Sequence, residues 1–507
     1  MSSSMTDPGE CMRAPRLGAL LVAVGAALAC GSCAVGPDFK RPPAPDTSQY
    51  TVQPLPPSTA VTDAPAGAAQ AFATGAQIPA QWWTLFRSEA LDALVNQALL
   101  ANPTVQSAQA ALRQAHENVL AAWGVFAPAI DATGSAERQR ISGGEFGPGA
   151  PAAVYNLYNV SVKVSYALDI WGGSRRELEA LRAQRDYQRY ALEATYLTLA
   201  SNVVTTAIAQ ASLRAQIDST ERLVAASSQR LEVVRKQQAL GGASAADVLA
   251  QQTELSQDRA TLPNLRDQLE RQRSLMATLL GRVPSDQPDV SFQLSDLQLP
   301  ESLPVSLPSQ LVTQRPDVRQ QEELLHQASA QIGVATANML PQITLSASYG
   351  ASSTTADALF HSVNRAWTVG AGVTQPLFHG GQLLHQRRAA VAAYDQAAAQ
   401  YRETVLTAFR NVADSLRALS DDADALGAQN EAEQAAAASL ALTDRQYALG
   451  AVSFLTLLNA QRAEHQARTL LIQAQAARYA DTAALFQALG GGWWNRNAQT
   501  AANSESH

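Results

Sequence analysis

The sequence predicts a membrane β-barrel continued by an all-α tunnel, with one chain supplying only part of each. Three observations carry this. Four segments of about ten residues alternate apolar and polar side chains, the period and length of tilted membrane strands. The stretch from Gly381 to Leu449 contains no proline and places apolar or small residues at coiled-coil spacing. The order helix, strand, strand, long helix, tight turn, helix also occurs twice, with Gly241 and Gly450 of the two turns 209 residues apart.

At the N-terminus, Arg13 and Arg16 precede the apolar run LGALLVAVGAALA (17–29), which ends in CGSC (30–33). Thirteen apolar residues are too few to span a bilayer but fit the core of a secretory signal; Met12 gives a tidier start for it than Met1. Cys11, Cys30 and Cys33 are the chain's three cysteines. The body therefore has neither a disulfide framework nor a Cys-based zinc site. Such an ending reads as an ordinary signal with incidental thiols, or as a bacterial lipoprotein signal whose Cys becomes the acylated first residue. Gly31 and Ser32 supply the small residues needed before Cys33, while Cys30 competes for the same role. The expectation is a lipoprotein signal over 1–32 and acylation, with palmitate-like chains, at Cys33. Ala34 in second place resembles the pattern for sorting to the outer membrane.

The remaining organisation follows the repeat. Residues 33–88 form an acylated, extended N-terminal segment whose Pro-, Ala- and Thr-rich part (40–80) reads as structure-poor. The first repeat covers 89–281, with strands at 128–138 and 158–170. A Pro-rich linker (282–308) leads to the second repeat (309–490), with strands at 341–350 and 367–378, and a tail (491–507). WGVFAPAIDATGSA (123–136) corresponds to ATANMLPQITLSASYG (335–350), YALDIWGG (166–173) to TQPLFHGG (374–381), and LLG (279–281) to ALG (488–490).

In YNVSVKVSYALDI (158–170), Val160, Val162, Val164, Tyr166 and Leu168 alternate with Ser161, Lys163, Ser165, Ala167 and Asp169. Ile343, Leu345 and Tyr349 alternate likewise with Thr344, Ser346 and Ser348. The polar face, with Asp131, Glu137, Lys163 and Asp169, suits a water-filled lumen. Tyr158, Trp171, Trp367 and Phe378 lie towards strand ends, where interfacial aromatics belong. Alternation alone suits a half-buried soluble sheet equally well; the export signal and lipid anchor favour the membrane. No window of 18 apolar residues follows residue 33, so a spanning structure must be a barrel. Four strands cannot close one, so several chains must share it. Two chains would give eight strands and a filled interior, three would give twelve and room for a passage.

The 381–449 stretch corresponds to roughly 100 Å of helix, and 174–240 is of similar length. The helix after the first turn contains Pro263, which should kink or interrupt it. The turns themselves read LGGASAADVLAQQ (240–252) and LGAVSFLTLLNAQ (449–461). Gly241 and Gly450 can take the left-handed conformation that ends a helix. Ser244 and Ser453 can cap the next one, and Asp247, three residues after Ser244, completes a capping box.

Charged residues make up 16 % of the chain and the net charge is −7, which leaves no basic face for nucleic acid. The seven His are scattered, and no HExxH, GxSxG, Walker loop or GxGxxG motif occurs. His379 and His385 fall on different helix faces. The reading is of no enzyme, no cofactor and no metal site. Asp421, Asp422 and Asp424 read as a solvated helix face.

CAVGPDFKRP (33–42), WWTLFRSEALDALVNQAL (82–99), QRPDVRQQE (314–322), QIGVATANMLPQITLSAS (331–348) and YALGAVSFLTLLNAQR (447–462) together resemble the signature stretches of the TolC-like outer-membrane efflux proteins. Within them they resemble the lipoprotein branch serving resistance–nodulation–division (RND) pumps. The resemblance covers essentially all of the mature chain, and its Cys-x-x-x-Pro-Asp opening favours Cys33 over Cys30. It implies a lipid-anchored homotrimer in the outer membrane of a Gram-negative bacterium, with a twelve-stranded barrel and a twelve-helix periplasmic tunnel. The tunnel would dock on a periplasmic adaptor and an inner-membrane RND pump, and the whole would pass drugs or other small toxic compounds outward. Six hairpins would close its inner mouth. Asp247 falls in the constriction, where three symmetry-related carboxylates would bind cations. Tyr447, Leu455 and Asn459 match gate positions, the last two on one helix face. Relatives often carry Asp at the position of Asn459, and Val452 stands where a relative carries Arg. The expectation is therefore one acidic ring and one apolar constriction. A duct for type I protein secretion would use the same fold; a structural coiled-coil lipoprotein would not need the strands.

Overall fold

The structure, a computed structural model, describes residues 34–54, 56–142, 151–288 and 290–496. The expected signal segment (1–32), Cys33 and the end of the C-terminal tail lie outside the described residues. Among the described residues, two compact units are built from interleaved parts of the chain: one from 34–40, 115–142, 151–185 and 324–398, the other from stretches within 41–114, 186–323 and 399–496. In chain order the elements are β1 (Ala71–Thr74), α1 (Glu89–Ala101), α2 (Pro103–Trp123), β2 (Ala129–Ile141), β3 (Ala153–Leu168), α3 (Gly173–Ala239) and α4 (Ala245–Leu279). The second half adds β4 (Ser302–Val305), α5 (Pro308–Gln314), α6 (Pro316–Ala337), β5 (Gln342–Ser353), β6 (Arg365–Thr374), α7 (Gln382–Ala448) and α8 (Phe454–Ala488). Among the described residues no helix is long and apolar enough to cross a membrane.

The first unit holds an antiparallel sheet in the order β2-β3-β5-β6. Its register sorts side chains by row. Ala132, Val162, Tyr349 and Trp367 stand opposite one another across the four strands, and the adjacent row is Asp131, Lys163, Ser348 and Thr368. One face is thus apolar and the other polar, as the alternation predicts. The apolar face is uncovered: Ile130 is 70 % exposed, Trp367 73 % and Val373 66 %. A half-buried soluble sheet would cover these residues, whereas a barrel wall turns them to lipid. The strand ends differ modestly from expectation. β6 stops at Thr374 because Pro376, two residues on, has no N–H for the ladder. β3 begins at Ala153, since its pairing with β2 runs on to Ile141.

In the same unit, the residues after Cys33 are held firmly. Val35 N–H donates to the Trp171 carbonyl at 2.9 Å. The buried Arg176 guanidinium donates to the Val35 carbonyl at 3.2 Å and to Asp38 at 2.6 Å. Phe39 stacks on His326 with ring centroids 4.4 Å apart. Gly36 and Gly333 touch backbone to backbone; a Cβ on Gly36 would lie 2.5 Å from the Gly333 Cα.

The second unit contains the main core. Trp82, Phe86, Leu91, Val203, Ile208, Leu303, Leu416, Leu419 and Phe486 are among its buried residues. Here two expectations are corrected. The lead 40–80 is not structure-poor throughout: β1 pairs in parallel with β4, which arises from the stretch read as linker. Tyr50 donates to the Ser306 carbonyl at 2.8 Å, and Ile78 is fully buried. Four-residue strands inside proline-rich sequence leave too little alternation to be read. Pro263, read as a helix breaker, lies within the unbroken α4. Buried Leu255, Leu262 and Leu269 on either side of it offset the roughly 3 kcal/mol that one interior proline costs.

The repeat is visible in the breaks as well. Each leading helix is divided at an X-Pro step, Asn102–Pro103 and Arg315–Pro316. Both preceding residues are extended, with φ/ψ of −66/127 and −76/124, the conformation a following proline imposes.

Candidate functional site

The two tight turns are built alike. At the first, Gly242 N–H reaches back to the Gln237 carbonyl and Gly241 N–H to Gln238. At the second, Ala451 N–H reaches Gln446 and Gly450 N–H reaches Tyr447. These are paired six-to-one and five-to-two bonds, and they need a left-handed residue. Gly241 (φ 80) and Gly450 (φ 75) supply it. Ser244 and Ser453 then cap α4 and α8, accepting from Asp247 N–H and Thr456 N–H.

The turns differ after the cap. Asp247 accepts from Ser244 N–H at 2.9 Å and from the Ser244 hydroxyl at 2.7 Å, both on Oδ2. Its counterpart in the repeat is Thr456, whose hydroxyl meets that of Ser453 at 2.9 Å. The capping box is therefore formed in the first hairpin, and Asp247 is at once a cap and a half-buried carboxylate near the tip. Replacing Ser244 by alanine should cost about 1 kcal/mol. Hydrogen exchange of the 241–250 amides should show it, and Ser453→Ala should show a similar loss at the second turn, since each serine gives up one bond from a backbone N–H and one to a side-chain oxygen.

Between the hairpins runs a series of polar links. Arg230 on α3 donates to Asp444 on α7 at 2.9 Å. Tyr447 on α7 donates to the Gln237 amide oxygen at 3.2 Å, and its ring lies 5.7 Å from that of Phe454. With the Gln461 amide turned oxygen-first, that oxygen also accepts from Arg230 at 3.1 Å. Further from the tip, Arg462 on α8 pairs with the buried Glu254 on α4, Nε to Oε2 at 2.8 Å. Within the first hairpin, Ser227 on α3 donates to Asp258 on α4 at 2.8 Å, and burial pushes the Asp258 carboxyl above its ordinary value. Burial, and next the Asp247 carboxylate, raise the Tyr447 phenol, against a lowering by Arg230. Asp247 and Arg230 therefore both bear electrostatically on Tyr447. Leu455, 60 % exposed, and the exposed Asn459 stand on the open face of α8, apart from this network.

Sequence reasoning missed Arg230, Asp444, Gln237, Glu254 and Arg462. A signal for them exists. The pairs 230–444, 237–447 and 254–462 are separated by 214, 210 and 208 residues, close to the spacing of the two turns. Duplicated hairpins lying side by side bring residues about one repeat apart into contact. Searching each charge for an opposite one at that offset finds two of the three links.

A sheet that needs further copies to close, and two matched helical hairpins per chain, define an outer-membrane channel of the barrel-and-tunnel class. The chain belongs to the outer membrane efflux protein family, whose pattern matches residues 94–282 and 307–491. It is 32 % identical over 426 residues to the pyoverdine export outer membrane protein OpmQ of Pseudomonas aeruginosa, covering 82 % of this chain and 87 % of that one. To the probable efflux pump outer membrane protein TtgC of Pseudomonas putida it is 28 % identical, covering 92 % and 94 %. Among solved structures, the outer-membrane channel OprN superposes with a TM-score of 0.81 at 26 % identity, over 91 % of this chain and all of that one. The Campylobacter jejuni CmeC outer membrane channel gives 0.83 at 20 % identity over 93 % and 98 %, a likeness of fold. The fold these channels share is that of a trimer with a barrel and a helical tunnel.

Proposed function

We propose that this protein is the exit duct of a tripartite RND-type efflux system, passing small toxic compounds from a periplasmic pump–adaptor assembly to the exterior. The observation that carries the reading is the pair of matched hairpins joined by Arg230–Asp444 and Tyr447–Gln237, in a chain whose relatives are efflux outer-membrane proteins. Transport energy comes from the pump, and the duct contributes a path and a gate. Asp247 supplies an acidic ring in the trimer, and Leu455 with Asn459 an apolar constriction with a neutral polar rim. Gly241, Gly450, Ser244 and Ser453 hold the turns in shape.

Acylation at Cys33 anchors the chain in the outer-membrane lipid. In support, Val35 is bonded to Trp171 and Ala34 lies against Gly172, beside the end of β3, so an acyl group one residue earlier would be tethered close to the sheet. Each buried CH2 of such a chain contributes about 0.8 kcal/mol to anchoring.

Expression together with its own adaptor and pump, in a host stripped of outer-membrane ducts, tests this function. Resistance to pump substrates should return with the full set and not when this chain is omitted. A host that becomes no more resistant with all three proteins present and assembled would contradict the assignment. Asp247→Ala should lower cation preference in purified channels while leaving the trimer intact, read as a shift in reversal potential across a salt gradient.

A further inference from the structure

The outward face of the four-stranded sheet carries its charges at one end. Residues in the same alternate rows as Ala132, Val162, Tyr349 and Trp367 make up that face. Among the described residues of the four strands, its charged side chains are Arg138 and Arg140 on β2 and Arg365 on β6, all exposed, and it holds no carboxylate. The opposite face is mixed, with Asp131, Glu137 and Lys163. Arg138 and Arg140 come just before the last residue of β2, and Arg365 is the first of β6. The other end of the sheet joins the helices α2, α3, α6 and α7. In a channel whose helical tunnel faces the periplasm, the arginines therefore mark the exterior rim. A cation turned to lipid is costly at the bilayer centre and tolerated near the interface. Three of one sign, without an anion among them, suit a negatively charged headgroup layer.

The loop between β5 and β6 builds a groove on this face. His361 N–H donates to the Ala358 carbonyl at 3.0 Å, and the Asn364 side-chain amide donates to the same carbonyl at 2.7 Å. These bonds fold 354–364 into a compact turn in which Leu359 is buried and Phe360 is 70 % exposed. A groove of about 410 Å³ is lined by Phe360 together with Val160, Val162, Tyr349, Ala351 and Arg365. Those five strand residues all belong to the outward rows. The groove is thus apolar along its length and has a single cation, Arg365. The loop's own titratable groups, Asp357 and His361, are not among its lining residues. Its volume falls within the roughly 300–1,000 Å³ of small-ligand clefts.

We propose that each seam between protomers binds the phosphate of an outer-leaflet lipid, with an acyl chain of that lipid laid in the groove. β2 and β6 are the two edges of the sheet, so closing the ring sets β6 of one copy against β2 of the next. Arg365 then shares one outward rim with the partner's Arg138 and the partner's Arg140. Guanidinium forks suit bidentate contact with phosphate oxygens, while Val160, Val162 and Phe360 offer the chain apolar surface to bury. A lipid seated in this way touches two protomers at once. The site rests on the barrel, whatever the duct transports.

The test uses the intact trimer in detergent, titrated with bisphosphorylated lipid A and followed by native mass spectrometry. One lipid per seam should bind. The same lipid stripped of both phosphates should bind the unaltered trimer roughly a hundredfold more weakly, at about fivefold for each arginine left without its phosphate. Inorganic phosphate at the lipid's own concentration should leave the lipid in place. Arg365→Gln should weaken binding by about fivefold, and its combination with Arg138→Gln and Arg140→Gln by roughly a hundredfold. Phe360→Ser should weaken the binding of both lipids alike. Equal binding of the two lipids by the unaltered trimer, or displacement by inorganic phosphate, would overturn the proposal. So would a triple variant that binds lipid A as tightly as the parent. The comparison of the two lipids stands on the parent protein alone, whether or not the variants assemble.

Discussion

Arg230→Ala combined with Tyr447→Phe should raise the open fraction of the channel by about a hundredfold. The Arg230–Asp444 pair is partly exposed, at 22 % and 56 % of the two side chains, so its worth is at most about 1 kcal/mol. The bond from Tyr447 to Gln237, at 3.2 Å, is neutral and adds somewhat less than about 1 kcal/mol. Individually these are small. Three protomers opening together multiply them to about 3 kcal/mol or more, and each 1.4 kcal/mol is roughly tenfold in a two-state population. Time-averaged current through a planar bilayer reads the effect directly. High salt should mimic part of it by screening the Arg230–Asp444 pair. Arg222→Ala serves as the control, since Arg222 pairs with Asp218 one turn away on its own helix and joins no second hairpin. An unchanged current in the double variant, or an equal rise in the control, would remove the inter-hairpin links from the gate.

Trp82→Ala should cost about 3–5 kcal/mol, the range for deleting a large buried aromatic. Trp82 is 1 % exposed and stacks on Phe486 at 5.3 Å, with Trp83 and Phe86 edge-on at 6.1 and 6.4 Å. The loss combines transferred area with a cavity the surrounding rings cannot close. Neighbouring Gly491 is also fitted to the site, since a Cβ there would lie 2.4 Å from Leu197. Thermal dissociation of the trimer measures the loss, and Trp82→Phe should recover a large share of it. Because Trp82 joins the start of the first repeat to the end of the second, its removal should also raise proteolysis near both.

The strands, long helices and turns were legible because each rests on local chemistry. Alternation fixes which face of β3 and β5 meets lipid, and Gly241, Gly450, Ser244 and Ser453 can be read as turn and cap residues one by one. What escaped depends on distant partners. β1 and β4 exist because of each other, and neither has sequence enough to show it alone. Pro263 survives within α4 because of side chains packed around it, which outweigh its local preference. Asp422 resembles its neighbours Asp421 and Asp424 in sequence and differs in lying half-buried beside the apolar stripe of α7. The candidate gate was half visible. Its turn residues announce themselves, whereas Arg230, Asp444 and Arg462 become apparent only once the repeat is used as a map of which residues lie opposite.

Single-channel recording on the purified protein, in lipid bilayers, tests the central claim most directly. The account predicts a trimer in detergent that inserts as one conducting unit, mostly closed, with cation preference that falls in Asp247→Ala and openings that multiply in the Arg230→Ala, Tyr447→Phe double variant. A monomeric protein that gives no current in either the parent or the double variant would contradict it.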